Sequence, residues 1–194
     1  MAGEELPSSL RSALQALTNW LDCAHVPSMI IGGVAASILG RPRLTRDVDA
    51  LAILPERDWQ RVFESGSQFG IVARIESALE FARRSRVLLM RHSESGIDLD
   101  IAFGGLPFEE SAIVNSRSHD IGGHKVRLPR IEDLLVMKAI ARRPKDFEDI
   151  RGLLQAHPEA DVAAARQWIR EFSVASAMPD ILEEFDRLVA QRLR

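Results

Sequence analysis

The stretch MIIGGVAASILGRPRLTRDVDALAIL, residues 29–54, decides the fold. Met29-Ile30-Ile31 is an apolar run that stops at Gly32-Gly33, after which Val34 to Leu39 reads as a short helix closed by Gly40. Pro42 through Arg46 is a basic loop. Val48 to Leu54 is then an apolar strand, interrupted by Asp49 and ended by Pro55. The expected order is strand, glycine turn, helix, basic loop and acid-bearing strand.

Upstream, Leu10, Leu14, Leu17 and Leu21 recur at helical spacing from Ser8 to about Ala24, with Ser8 or Ser9 as N-cap. Downstream, the pattern predicts a helix over 56–67 and strands over 69–75 and 86–92, with 76–85 unassigned. Ile97 to Phe103 is a further strand, carrying Asp98 and Asp100. Ile113 to Ile121 and Lys125 to Leu128 flank Gly122-Gly123 and predict a hairpin, since Gly-Gly supplies the positive φ of tight turns. Beyond Pro129 four helices are expected, near 130–142, 144–156, 161–173 and 178–193, punctuated by Pro144, Pro158 and Pro179. This gives a core over residues 1–128 and a helical region over 129–194 packed on it. The apolar stripe Ile181, Leu182, Phe185, Leu188 and Val189 either packs inward or binds a partner.

Composition sets outer bounds. A chain of 194 residues, 46% hydrophobic and 27% charged, suits one domain or a core with an extension. A lone cysteine, Cys23, forms no intrachain disulfide; it reads as a small buried hydrophobe and fits a reducing cytoplasm. The start MAGEELPSSL lacks signal-peptide character and no apolar run approaches a membrane span, so a cytoplasmic protein with no membrane partner is expected. A net charge of -3 argues against coating nucleic acid non-specifically. With no Tyr and 6% aromatic residues, there is little to build a base-stacking platform.

The acids carry the chemistry. Asp47 and Asp49 alternate around Val48, so on a strand they share one face, and Asp98 and Asp100 repeat the pattern around Leu99. Two charges about 4 Å apart repel by roughly 4 kcal/mol at an effective dielectric near 20. A divalent cation would neutralise such a cluster, Mg²⁺ commonly by one or two carboxylates together with substrate phosphates. A single Asp-x-Asp is common by chance; the weight comes from the second pair and the glycine turn. Gly32-Gly33 is either a phosphate-receiving helix start or a simple turn. The loop arginines, Arg43 and Arg46 among them, either neutralise a triphosphate or form a solvated loop with Arg46 paired to an acid.

Gly32-Gly33, followed after thirteen residues by Asp47-Val48-Asp49, resembles the motif of nucleotidyltransferases of the DNA polymerase β superfamily. The likeness is greatest to AbiEii-type toxins and related bacterial nucleotidyltransferases, and it runs through Ile97-Asp98-Leu99, Leu106-Pro107-Phe108-Glu109-Glu110, Lys138 and the segment Arg143 to Asp149. The resemblance implies an α+β fold, a mixed sheet with helices, plus a C-terminal helical extension. It implies Mg²⁺ or Mn²⁺ as cofactor and a nucleoside triphosphate as substrate. Asp47, Asp49 and Asp98 become the metal ligands, with Asp100 an extra acid. Gly32, Gly33, Arg43, Arg46 and Lys145 become nucleotide contacts and Lys138 a catalytic cation, oriented with Lys145 by Asp146 and Asp149. The serine of the Gly-Ser form is missing, which leaves phosphate to the backbone and Ser37. Implied acceptors are an RNA end such as tRNA, or a protein, with an antitoxin as candidate partner; the alternatives are an antibiotic-modifying transferase and a non-catalytic nucleotide- or protein-binding relative.

Overall fold

The structure, a computed structural model, describes residues 6–192. The expected end of the last helix at 193 lies outside the described residues. The chain forms two compact units: one comprises the chain up to Val34 with Leu44–Leu128, the other Ala35–Arg43 with the chain from Pro129 onward.

In the first unit, helix α1 (Ser8–Cys23) leads into β1 (Ser28–Ile31), and β1 into helix α2 (Gly32–Leu39), which continues into the second unit. Then come β2 (Asp47–Ala52), α3 (Glu56–Ser65), a 3₁₀ turn at Gly66–Phe69, β3 (Ile71–Ala73), α4 (Ala78–Ser85), β4 (Val87–His92) and β5 (Asp98–Phe103). Helix α5 (Pro107–Val114) and the hairpin of β6 (Arg117–Ile121) and β7 (His124–Leu128) complete it. The five-stranded sheet has the order β1-β2-β5-β4-β3. Only β2 and β5 run parallel; the remaining neighbours are antiparallel, so the sheet is mixed and the fold α+β.

Strand alternation divides this sheet chemically. Val48, Ala50, Ala52, Leu99, Ile101, Phe103, Leu88 and Met90 have matching parity across the register and are buried. Trp59 stacks on Phe103 with ring centroids 4.2 Å apart in this core. The opposite parity carries Asp47, Asp49, Asp98 and Asp100. Burying one face fixes the register, and the register then fixes which acids meet.

The second unit contains α6 (Ile131–Ala141), α7 (Pro144–Ala156), α8 (Val162–Ala175) and α9 (Asp180–Arg192). Ile181, Phe185 and Leu188 of the terminal stripe are buried, and α9 packs against α7 and α8 within this unit. At Gly40 a Cβ would lie 2.9 Å from Ala36 O and 3.3 Å from Leu153 N, so glycine there allows close backbone approach.

Four local expectations need correction. Neither Ser8 nor Ser9 caps α1; Pro7 holds the cap position with no side-chain hydrogen bond. Residues 78–85 are helical, and Ile113-Val114 ends α5 rather than opening a strand. Cys23 is exposed, because it closes α1 on the face away from Leu14, Leu17 and Leu21. Both hairpin glycines do have positive φ, 62° at Gly122 and 87° at Gly123.

Candidate active site

Two rungs of the sheet build the site. Asp47 of β2 stands opposite Asp98 of β5, and Asp98 opposite Arg91 of β4. One pleat on, Ile31 of β1, Asp49, Asp100 and Leu89 line up across four strands. Adjacent strands are about 4.8 Å apart, so two ionised carboxylates on one rung repel by roughly 3 kcal/mol at an effective dielectric near 20, before solvent screening.

Gly32 closes the second rung. Its φ is +65°, and a Cβ there would lie 1.8 Å from Asp49 Oδ2 and 2.6 Å from Asp49 Cγ. The glycine is therefore required twice, by a left-handed backbone and by the carboxylate standing where a side chain would go. Gly33 beside it is buried. Thr45 orients the first rung by donating to Asp47 Oδ1 at 2.9 Å.

The two β5 acids have different company. Asp98 is held on both oxygens: Arg91 Nε lies 2.7 Å from Oδ1 and an Arg74 terminal nitrogen 3.0 Å from Oδ2. Burial opposes its ionisation, but Arg91 and Arg74 outweigh burial and hold its carboxyl below the ordinary value. Asp100 has one arginine, with the other Arg74 terminal nitrogen 3.0 Å from Oδ1. That contact is out of hydrogen-bonding alignment, so Oδ1 is buried with no hydrogen-bond donor. Burial, followed by repulsion from Asp49, Asp47 and Asp98, pushes the Asp100 carboxyl up, against the pull of Arg74.

The remaining expected site residues lie in the second unit, apart from Arg46, which is exposed in the loop before β2. Lys138 is buried on α6 with Nζ 2.7 Å from Asp149 Oδ2 and 3.2 Å from Asp146 Oδ1. Arg43 forks onto Asp149 at 2.8 and 3.1 Å, and Arg143 Nε reaches Asp146 Oδ2 at 2.6 Å. For Asp146 burial is again opposed, here successfully, by Arg143 and Lys138, and its carboxyl lies below the ordinary value. Ser37 Oγ accepts from Arg43 N at 2.8 Å and donates to Arg43 O at 3.0 Å, so that hydroxyl is engaged with the loop. Lys145 is exposed in the first turn of α7. The acids expected to orient Lys138 and Lys145 together thus grip Lys138.

Sequence reasoning missed Thr45, Arg74 and Arg91. The parity of Arg91 with Leu89 along β4 was a usable signal, but no local pattern tells which acid an arginine on another strand will meet.

Residues 10–194 match the family described as "Nucleotidyl transferase of unknown function (DUF2204)". The chain belongs to that family. It is accordingly an enzyme of the nucleotidyltransferase class, with the polymerase β-type fold. Among solved structures, the antibiotic-resistance factor ANT(2'')-Ia is similar at 14% identity and TM-score 0.60, over 90% of this chain and 97% of that one. An antigenic nucleotidyltransferase-like protein from Paracoccidioides brasiliensis is similar at 16% identity and TM-score 0.56, over 94% of each chain. The lincosamide antibiotic adenylyltransferase LnuA, solved with lincomycin, is similar at 15% identity and TM-score 0.52, over 79% of this chain and 99% of that one. No curated protein matches this sequence. No helix among the described residues is long and apolar enough to cross a membrane.

Proposed function

We propose that this nucleotidyltransferase moves a nucleoside monophosphate from a nucleoside triphosphate to an acceptor hydroxyl, releasing pyrophosphate, with a divalent cation held by Asp47, Asp49 and Asp100. The observation that carries the reading is the rung in which Asp49 faces Asp100 while Gly32 leaves room for the Asp49 carboxylate. Among the described residues no three His, Cys, Asp or Glu side chains are already gathered to hold a metal ion. The donor set nonetheless suits Mg²⁺ or Mn²⁺: all ligands are carboxylate oxygens, and Asp100 Oδ1 is buried with no hydrogen-bond donor. We take Asp100, in place of Asp98, as the third carboxylate, because both oxygens of Asp98 are held by arginines.

When bound, the cation lowers the pKa of an attacking hydroxyl and stabilises charge on the leaving pyrophosphate. The protein's own residues do the rest. Thr45 fixes the Asp47 carboxylate. Gly32 lets Asp49 lie against the backbone at the start of α2. Asp98 keeps Arg74 and Arg91 on the sheet face. Arg46, exposed in the loop before β2, is a cation available to a triphosphate, whereas Lys138 positions α6 against α7 within the second unit.

A small-molecule acceptor is favoured over an RNA end or a protein by one observation. The fold likeness to ANT(2'')-Ia and LnuA spans 97% and 99% of those antibiotic-acting chains, so this chain is matched to their whole length. The toxin reading and an antitoxin partner have no comparable support.

The test is pyrophosphate release with each of the four ribonucleoside triphosphates and Mg²⁺ or Mn²⁺, comparing wild type with Asp49→Asn. Acceptor pools are aminoglycosides, lincosamides and total bacterial RNA. Release by wild type only, stimulated by one pool, is expected. Equal release by Asp49→Asn would remove the acidic rung from the mechanism.

A further inference from the structure

We propose that Arg74 is a resident counter-ion of the acidic face that competes with the divalent cation for Asp100 and must leave that carboxylate when the cation binds. The inference rests on the reading of Asp47, Asp49 and Asp100 as cation ligands.

Arg74 follows β3, and its N–H donates to Leu89 O at 3.1 Å, continuing the antiparallel register by one residue. Its side chain therefore emerges on the parity of Leu89 and Arg91, the face that carries the acids. From the sheet edge it passes the apolar Leu89 and divides its fork, one terminal nitrogen 3.0 Å from Asp98 Oδ2 and the other 3.0 Å from Asp100 Oδ1. The two carboxylates are unequally served. Asp98 also has Arg91 on its other oxygen at 2.7 Å, whereas Arg74 is the arginine at Asp100, whose Oδ1 is buried with no hydrogen-bond donor. A guanidinium so held offsets part of the negative charge of the face in the cation-free protein and retains Asp98 as an anchor after giving up Asp100. It is a positioning residue, acting through Asp100.

The competition makes a signed prediction. Removing Arg74 as a folding contact would weaken Mn²⁺ binding; removing it as a competitor strengthens binding. Isothermal titration with Mn²⁺ should give Arg74→Gln a Kd about tenfold lower than wild type, from loss of one charge near a partly solvated carboxylate. Arg74→Lys should return it to within about threefold of wild type, since the charge is kept. A ¹⁵N spectrum of the wild-type arginine side chains during Mg²⁺ titration tests the same point without a variant: the Arg74 signal should move and saturate with the binding isotherm. Unchanged or weaker Mn²⁺ binding by Arg74→Gln, or an Arg74 signal indifferent to Mg²⁺, overturns the proposal. Binding that Asp49→Asn abolishes but Arg74→Gln leaves unaltered removes only the role of Arg74; a wild type that binds no Mn²⁺ removes the metal reading together with it.

Discussion

Oδ2 of Asp49 occupies the position a β-carbon on Gly32 would need, 1.8 Å from it. The glycine turn and the acidic strand, separated in sequence by the basic loop, are thus one steric unit. We expect Gly32→Ala to displace the Asp49 carboxylate and to reduce nucleotidyl transfer by at least about a hundredfold. The left-handed backbone adds about 1–2 kcal/mol of destabilisation. Steady-state rates alongside urea unfolding check this, and transfer within threefold of wild type would show that Asp49 has another place to go.

Asp98 and Asp100 are adjacent on one face yet should behave oppositely in the metal-free protein. Asp98→Asn gives up two arginine contacts and lowers the melting temperature. Asp100→Asn removes a carboxylate whose ionisation is disfavoured by burial and by Asp49, Asp47 and Asp98, and raises it by a few degrees at neutral pH. Because the folded-state value of Asp100 is raised, its penalty is present above that value and disappears as pH falls to the ordinary carboxylate range. Thermal melts from pH 7 down to pH 3 in chelator read both signs; a destabilised Asp100→Asn at pH 7 would contradict them.

Much of the fold was legible in the sequence, because strand parity and helical periodicity are local. The run Met29 to Leu54 gave its elements in order, and the prolines punctuated the terminal helices. Helix α4 was not legible: its buried face consists of Ala78 and Ala82, too small to register as an apolar stripe. Helix α5 was hidden because Ile113-Val114 looks like a strand, while its start is secured by Glu109, whose carboxylate accepts from Gly105 N at 2.7 Å and Leu106 N at 2.9 Å. The proposed preference for Asp100 over the expected Asp98 had no local signal for a different reason. It rests on the register between strands some fifty residues apart, and on two arginines reaching in from β4 and the end of β3.

Lys138 has its ammonium buried between Asp146 and Asp149. Lys138→Met leaves those acids without their shared cation and should cost about 3–5 kcal/mol of stability. The exposed Lys145→Met should cost less than about 0.5 kcal/mol. Urea unfolding distinguishes them, and comparable effects would mean that Lys138 is no structural anchor.

The same cluster sets an acid limit. The Asp146 carboxyl is held below the ordinary value by Arg143 and Lys138 despite its burial, so its contribution is present above the ordinary carboxylate pKa of about 3.9 and is lost as pH falls through the lower folded-state value. The stability difference between wild type and Asp146→Asn should be largest near neutrality and close on acidification. A gap that widens toward pH 3 would reverse the assignment.

The most direct measurement is the Mn²⁺ affinity of wild type, Asp49→Asn, Asp98→Asn and Asp100→Asn by isothermal titration. We predict that Asp49→Asn and Asp100→Asn each weaken binding by at least about tenfold, as loss of a charged ligand requires, while Asp98→Asn stays within about threefold of wild type. Binding lost in Asp98→Asn but retained in Asp100→Asn would contradict the proposed cation site.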